Sequence, residues 1–292
     1  MLSSIRKSGA LREVFTLSSA TLLAQLISFC LYPVLTRLYD PNALGVLALF
    51  LSIVSILAIL APFQIDQILL FHSKEQDLPI ATTSLFVVVT SFTLVTWLTL
   101  IGLKFAEFAT LQQIPWGPIL LLPLFLFPPA ILRYYQSATV REKGFTALAI
   151  SGSSSLIFAS FFKIILGFFR ANLLSLLITE LVYYWLSLIS LIALARKRLT
   201  PYFSLTQLKT VRPFLHAHST FIFSTQVASL FNAANTYLPV HYVAALYNPD
   251  DVGYFAFAAG LVLALSRNLA QSILHVFSHR FSLYVRNKNT LA

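Results

Sequence analysis

The sequence contains the stretch Leu38-Tyr39-Asp40-Pro41-Asn42-Ala43-Leu44-Gly45, which returns 208 residues later as Leu246-Tyr247-Asn248-Pro249-Asp250-Asp251-Val252-Gly253. Each copy follows one long apolar segment and opens another. Asp40 and Asn248 suit a helix N-cap, and the proline after each suits the first helical residue, which needs no backbone N–H. Four identities and two conservative pairs favour an internal duplication. Coincidence between two helix–turn–helix joints in a chain rich in Leu and Tyr is the alternative.

The composition around this phrase excludes a soluble domain. Of 292 residues, 58% are hydrophobic and 10% are charged, whereas globular domains carry about 25% charged residues. The apolar residues form eight blocks, each near the ~20 residues that cross a bilayer: 14–36, 43–70, 80–103, 117–136, 145–169, 171–194, 217–246 and 252–279. Uninterrupted runs exclude the alternating strands of a barrel. We therefore predict an all-α polytopic membrane protein of about eight transmembrane helices, with the single Cys30 as a buried thiol.

The net charge of +10 is explained by the placement of the basic residues. Most of the 20 Lys and Arg lie before the first block or in connections that share its side of the membrane, whereas Arg37, Lys104 and Arg170 lie on the opposite side. The positive-inside rule then predicts cytoplasmic N- and C-termini. No nucleic-acid partner is needed to account for the charge.

The duplication predicts how the helices are arranged. Six blocks separate equivalent points of the two copies, and an even number returns the chain in the same orientation. The two halves would therefore be parallel repeats about an axis along the membrane normal. We predict a six-helix N-terminal lobe at 1–198, a cytoplasmic linker at 199–216 with an amphipathic stretch, and a partial C-terminal lobe of two helices at 217–292.

Four stretches of the chain carry a family resemblance. They are Leu22-Leu23-Ala24-Gln25 with Tyr32-Pro33-Val34-Leu35-Thr36-Arg37-Leu38-Tyr39-Asp40-Pro41; Asp66-Gln67-Ile68-Leu69-Leu70; Arg141-Glu142-Lys143-Gly144-Phe145-Thr146-Ala147-Leu148-Ala149; and Val276-Phe277-Ser278-His279-Arg280-Phe281. In this order they resemble Wzx-type O-antigen and polysaccharide flippases of the multidrug/oligosaccharidyl-lipid/polysaccharide exporter superfamily. The resemblance covers nearly the whole chain. It implies a MATE-like fold of two six-helix lobes, from which this chain departs after two helices of the second lobe.

The resemblance also implies a function. Such a protein flips undecaprenyl-diphosphate-linked oligosaccharide across the bacterial inner membrane for O-antigen or polysaccharide biosynthesis, by alternating access between its lobes. We expect no enzymatic reaction and no cofactor, and we expect membrane lipid, the lipid-linked oligosaccharide and polysaccharide polymerase machinery as partners. A truncated, inactive flippase and a cation-coupled drug exporter of the same superfamily are the alternatives. An exporter would be expected to have a coupling carboxylate deep in the first helix, which offers only Gln25 and Ser28.

Three charged residues within the apolar blocks are candidates for function, because a charge at the centre of a membrane helix costs about 2.5–3.5 kcal/mol. Lys163 and Glu180 lie at matched depths in adjacent blocks, so we predict an ion pair that is either structural or an ion-coupling site. Lys163 is also a candidate for binding the substrate. Arg267 has no acidic neighbour on its own helix. It either lines a cavity, where the family receives a lipid diphosphate, or snorkels toward the interface.

The remaining candidates are polar or interfacial. For Asp66 we predict a solvated carboxylate near Lys74 and the lipid headgroups, with a role as a second ion-coupling candidate as the alternative. Gln25, Asn232 and Asn235 lie on the repeat-related first and seventh blocks, where they either form interhelical hydrogen bonds or bind sugar hydroxyls. The spacing of the histidines favours no metal site, because no acidic ligand accompanies them.

Overall fold

The computed structural model describes residues 10–71, 77–195 and 207–260, together with separate positions up to 282. Every regular element within these ranges is a helix. In chain order they are α1 (Ala10–Leu38), α2 (Pro41–Leu60), α3 (Ile65–Phe71), α4 (Leu78–Phe105), α5 (Ala109–Gln112), α6 (Trp116–Arg141), α7 (Phe145–Phe169), α8 (Leu173–Ala195), α9 (Leu208–Ala217), α10 (Ser219–Leu246) and α11 (249–260).

Within the described ranges, six helices are long and apolar enough to span a membrane: Ser19–Leu38 within α1, and the whole of α2, α4, α6, α7 and α8. They correspond to the first six predicted blocks. The seventh block forms α10, a helix of 28 residues that is not among these six. The eighth block begins as α11, and most of the rest of it lies outside the described residues. The chain is therefore a polytopic α-helical membrane protein.

The sequence predicted one continuous helix over 43–70, but the structure divides this second block into two helices. Helix α2 ends at Leu60 and α3 begins at Ile65, with Phe63 (φ 47°) and Gln64 (φ 57°) in the left-handed region between them. Pro62 accounts for the break, because a proline cannot donate an intrahelical hydrogen bond and its ring clashes with the preceding turn. Two left-handed residues without glycine cost about 1–3 kcal/mol each, so surrounding contacts must hold this segment.

The two ends of the bundle have separate apolar cores. We call the end that contains Asp40 and Asn248 the phrase end. Its core joins α1, α2, α6 and α8 to α10 and α11, and includes Phe50, Phe125 and Val252. The core of the opposite end joins α3, α4, α6, α7 and α8. Helix α9 corresponds to the amphipathic stretch that was predicted in the linker, and its Val211 is buried.

The outer surface of the bundle exposes many apolar side chains. Large apolar side chains such as Val95 and Phe168 are exposed on the outside of the bundle, which is typical of a lipid-facing surface. Cys30 is also exposed, so the prediction of a buried thiol was wrong. Asp40 is the N-cap residue of α2 and Pro41 its first residue, but the Asp40 side chain makes no capping hydrogen bond.

Candidate functional site

A cavity of about 880 Å³, lined by both polar and apolar side chains and called the polar cavity below, lies in the half of the bundle away from the phrase end. Its walls come from α1, α2, α3, α6, α7, α8 and α10 and from residues between 274 and 281. The polar side chains that line it are Thr21, Asp66, Gln67, Arg133, Gln136, Ser137, Ser153, Tyr183, Ser229, Asn232, Thr236, Tyr237, His275 and Ser278. Its volume falls within the ~300–1,000 Å³ of pockets that take drug-sized ligands.

The cavity contains a carboxylate beside a guanidinium. Asp66 Oδ2 lies 3.5 Å from Arg133 Nη2, with the Asp66 side chain 6% exposed and that of Arg133 29% exposed. The prediction of a solvated carboxylate at the headgroups was therefore wrong, because α3 turns Asp66 into the bundle. Lys74, its predicted neighbour, lies outside the described residues.

This ion pair leaves hydrogen-bonding capacity unused. Among the described residues, Asp66 Oδ1 and Arg133 Nε are buried and have no hydrogen-bond partner. A single 3.5 Å contact is also long for a charge-assisted hydrogen bond, which is normally about 2.7–2.9 Å. The Arg133 side chain is partly exposed to the cavity, so its guanidinium can bind an anionic oxygen without first losing a strong partner.

Arg133 lies well inside a helix long enough to span the membrane. It lies inside α6, eight residues before the end of the helix at Arg141, or about 12 Å along the axis at 1.5 Å per residue. Arg141 is buried as well, and its Nη1 donates to the carbonyl oxygen of Leu69 at 3.0 Å. A cation at the C-terminal end of α3 complements the helix dipole, so Arg141 fixes the short helix that carries Asp66.

The break between α2 and α3 is held by α10. Gln64 is fully buried, and its Nε2 donates to Gln226 Oε1 and to Ser229 Oγ, both at 3.0 Å. Gln226 Nε2 in turn donates to the carbonyl oxygen of Leu60 at 3.0 Å. We call these contacts the glutamine clamp. They satisfy a carbonyl near the break, where lipid offers no hydrogen-bond donor.

The predicted ion pair between Lys163 and Glu180 is confirmed. Lys163 Nζ lies 2.5 Å from Glu180 Oε1, between α7 and α8. The pair is anchored near the phrase end, where Tyr39 Oη donates to the backbone carbonyl of Lys163 at 2.8 Å. Neither residue lines the cavity, although Tyr183, one turn along α8 from Glu180, does. The contact neutralises two intramembrane charges, and whether it also couples an ion stays a prediction.

Of the remaining predicted site residues, some line the cavity and others do not. Asn232 lines the cavity, whereas Asn235 is exposed on α10 and Gln25 is buried on α1, and neither is among the lining residues. Arg267 lies outside the described residues, so its cavity position stays a prediction.

Sequence reasoning missed Arg133, Gln64 and Gln226. For Arg133, the apolar block was ended at 136, which hid how deep the residue lies. For the glutamine clamp, a signal was present: Pro62 inside a long apolar block indicates a break, and a buried amide is a natural partner for the exposed backbone.

Comparison with known proteins gives one match. A family profile described as polysaccharide biosynthesis protein matches residues 34–292. No curated protein and no solved structure matches the chain.

Proposed function

The chain belongs to the polysaccharide biosynthesis protein family, and from this premise we propose that it flips a lipid-linked oligosaccharide across the bacterial inner membrane. The carrier in this proposal is undecaprenyl diphosphate, as the resemblance to Wzx-type flippases implies. Both termini would be cytoplasmic, which makes the phrase end periplasmic. The chain would carry out transport without making or breaking a bond, and the polymerase machinery would act on the flipped product.

The polar cavity is the observation that carries this proposal. A helical bundle with an apolar outer surface has no structural need for a cavity of about 880 Å³ whose wall includes a carboxylate, a guanidinium and several amides and hydroxyls, since every polar group facing it must be hydrated or paired. A glycan has the same requirement, because its hydroxyls cannot enter hydrocarbon. The volume suits a diphosphate and the adjoining sugars, while the prenyl tail would stay in the bilayer.

The side chains on the cavity wall would divide the recognition of the substrate. Arg133, whose side chain is partly exposed on the cavity wall, would hold a phosphate oxygen, and Asp66 would balance its charge while the cavity is empty. Asn232 and Thr236 would accept and donate hydrogen bonds to sugar hydroxyls. Arg267 would add a second cation to the diphosphate site. The substrate would then move as the two lobes rock about their contact.

The test is accumulation of lipid-linked repeat units in a strain that lacks its own copy of this gene. We expect the deletion to accumulate undecaprenyl-diphosphate-linked units on the cytoplasmic side, and the intact chain to clear them and restore surface polysaccharide. Failure of a correctly inserted chain to clear them would refute the flippase proposal and favour an inactive product. Changed drug tolerance without any effect on lipid-linked units would instead support an exporter.

A further inference from the structure

The two copies of the repeated phrase touch each other in the folded protein. A Cβ built on Gly45 of α2 would collide with the carbonyl oxygen of Pro249 and lie 2.9 Å from the Gly253 nitrogen. A Cβ built on Gly253 of α11 would collide with the carbonyl oxygen of Pro41 and lie 3.2 Å from the Gly45 nitrogen. The contact is therefore reciprocal, with each glycine lying against the proline carbonyl of the other copy.

Only glycine permits this approach. Helices normally pack with their axes about 8–10 Å apart, and small residues are needed where membrane helices come closer. At Gly45 and Gly253, the hydrogen that replaces a side chain points at the opposing carbonyl oxygen, as in a Cα–H···O contact. By contrast, a Cβ on Gly102 of α4 or Gly117 of α6 would meet nothing within 4 Å.

Neighbouring contacts extend this crossing across the phrase end. Gln113 Nε2 donates to the carbonyl oxygen of Ala244 at 2.7 Å. The rings of Tyr32 and Phe257 meet edge to face, with their centroids 5.0 Å apart. Val252, beside Gly253, is completely buried in the apolar core of the phrase end. The polar cavity lies in the other half of the bundle, so these contacts close it off from the phrase end.

We propose that Gly45 and Gly253 form the closing contact between the two lobes at the phrase end. The closed arrangement requires two helix backbones to meet without side chains between them. Each copy of the repeated phrase would therefore have two roles: its proline begins a helix, and its glycine forms half of the seal. This proposal rests on the proposed function only in requiring that the lobes move relative to each other. A methyl group on either glycine would hold the lobes apart and favour the arrangement that is open at this end.

The experiment measures how fast a cysteine inside the seal reacts. The purified chain, with Cys30→Ser, is placed in lipid nanodiscs, where both ends of the bundle are accessible to a water-soluble maleimide. Val252→Cys places the reporter in the buried seal, and Asp251→Cys, at an exposed neighbouring position, is its control. We expect Val252→Cys to react at least about tenfold more slowly than Asp251→Cys, since it is exposed only in the open arrangement.

The glycines are then tested against this reporter. Adding Gly45→Ala should raise the Val252→Cys rate by roughly tenfold, as an overpacked contact shifts the closed population toward the open one. Gly102→Ala, which fills open space, should leave the rate unchanged. Equal rates for the Gly45→Ala and Gly102→Ala chains would overturn the proposal. If the Gly45→Ala chain cannot be produced in folded form, the Val252→Cys chain alone still tests the proposal. Reaction of Val252→Cys as fast as Asp251→Cys would overturn it.

The readout separates this proposal from the flippase proposal. Labelling needs no substrate, so a chain that fails to clear lipid-linked units but shows the expected rates keeps the seal and loses the function. A chain that clears them while Val252→Cys reacts as freely as Asp251→Cys keeps the function and loses the seal.

Discussion

Replacing Arg133 tests whether this cation serves the substrate or only Asp66. At 3.5 Å the gross attraction between the two charges is about 5 kcal/mol for an effective dielectric constant near 20. Removing one partner of a buried pair costs about 3–5 kcal/mol, because the other charge is left uncompensated. Since Arg133 is partly exposed to the cavity, we expect Arg133→Gln to cost about 3 kcal/mol of folding free energy, the lower end of this range.

The double variant Asp66→Asn/Arg133→Gln separates the two roles. Replacing both charges by neutral groups of similar shape removes the uncompensated carboxylate, so we expect stability within about 1 kcal/mol of the native chain. Thermal unfolding in detergent measures this. The single variant should unfold roughly 5–10 °C lower, and the double variant close to the native temperature.

Transport then decides between the two roles. A hydrogen bond to a charged group is worth about 1.5–3 kcal/mol, so loss of the Arg133–phosphate contact should slow clearance of lipid-linked units by roughly 10–100-fold. We expect the double variant to regain its stability but not its transport. If it regains both, Arg133 only neutralises Asp66, and the phosphate-binding role is refuted.

Two further predictions concern contacts away from the Arg133–Asp66 pair. Glu180→Gln removes the anionic partner of Lys163 and should cost about 1.5–3 kcal/mol of stability, whereas Glu180→Gln with Lys163→Met should recover most of it, as measured by thermal unfolding. Gln226→Leu leaves the Leu60 carbonyl without its partner on α10 and leaves the Gln64 amide with Ser229 alone, so we expect a loss of about 1–3 kcal/mol and faster amide hydrogen exchange at the helix break.

Each of these two predictions has a control and an outcome that would contradict it. If the stable Glu180→Gln/Lys163→Met chain loses transport, the ion pair is a coupling site; full transport assigns it to structure alone. For the glutamine clamp, Asn235→Leu changes an exposed amide on the same helix and should leave exchange at the break unaltered. Equal exchange in the Gln226→Leu and Asn235→Leu chains would contradict the role given to the clamp.

The sequence determined the membrane architecture because that part of the problem is local. A transmembrane helix satisfies its own backbone hydrogen bonds, so length and composition are enough to identify it. The Lys163–Glu180 pair could also be predicted, since a short turn joins α7 to α8 and the two depths could be counted from it. The helix break at Pro62 had a local signal too, although the break was not predicted.

Only the tertiary structure decided what the polar residues and the repeated phrase do. The burial of Asp66 depends on the direction of α3, which Gln226 on a distant helix and Arg141 fix jointly. The sequence showed Gly45 and Gly253 as equivalent positions, but not that they meet. Contact between residues 208 positions apart is set by how the helices pack. A glycine only allows two backbones to approach closely, and the van der Waals contact itself forms when tertiary packing brings them together.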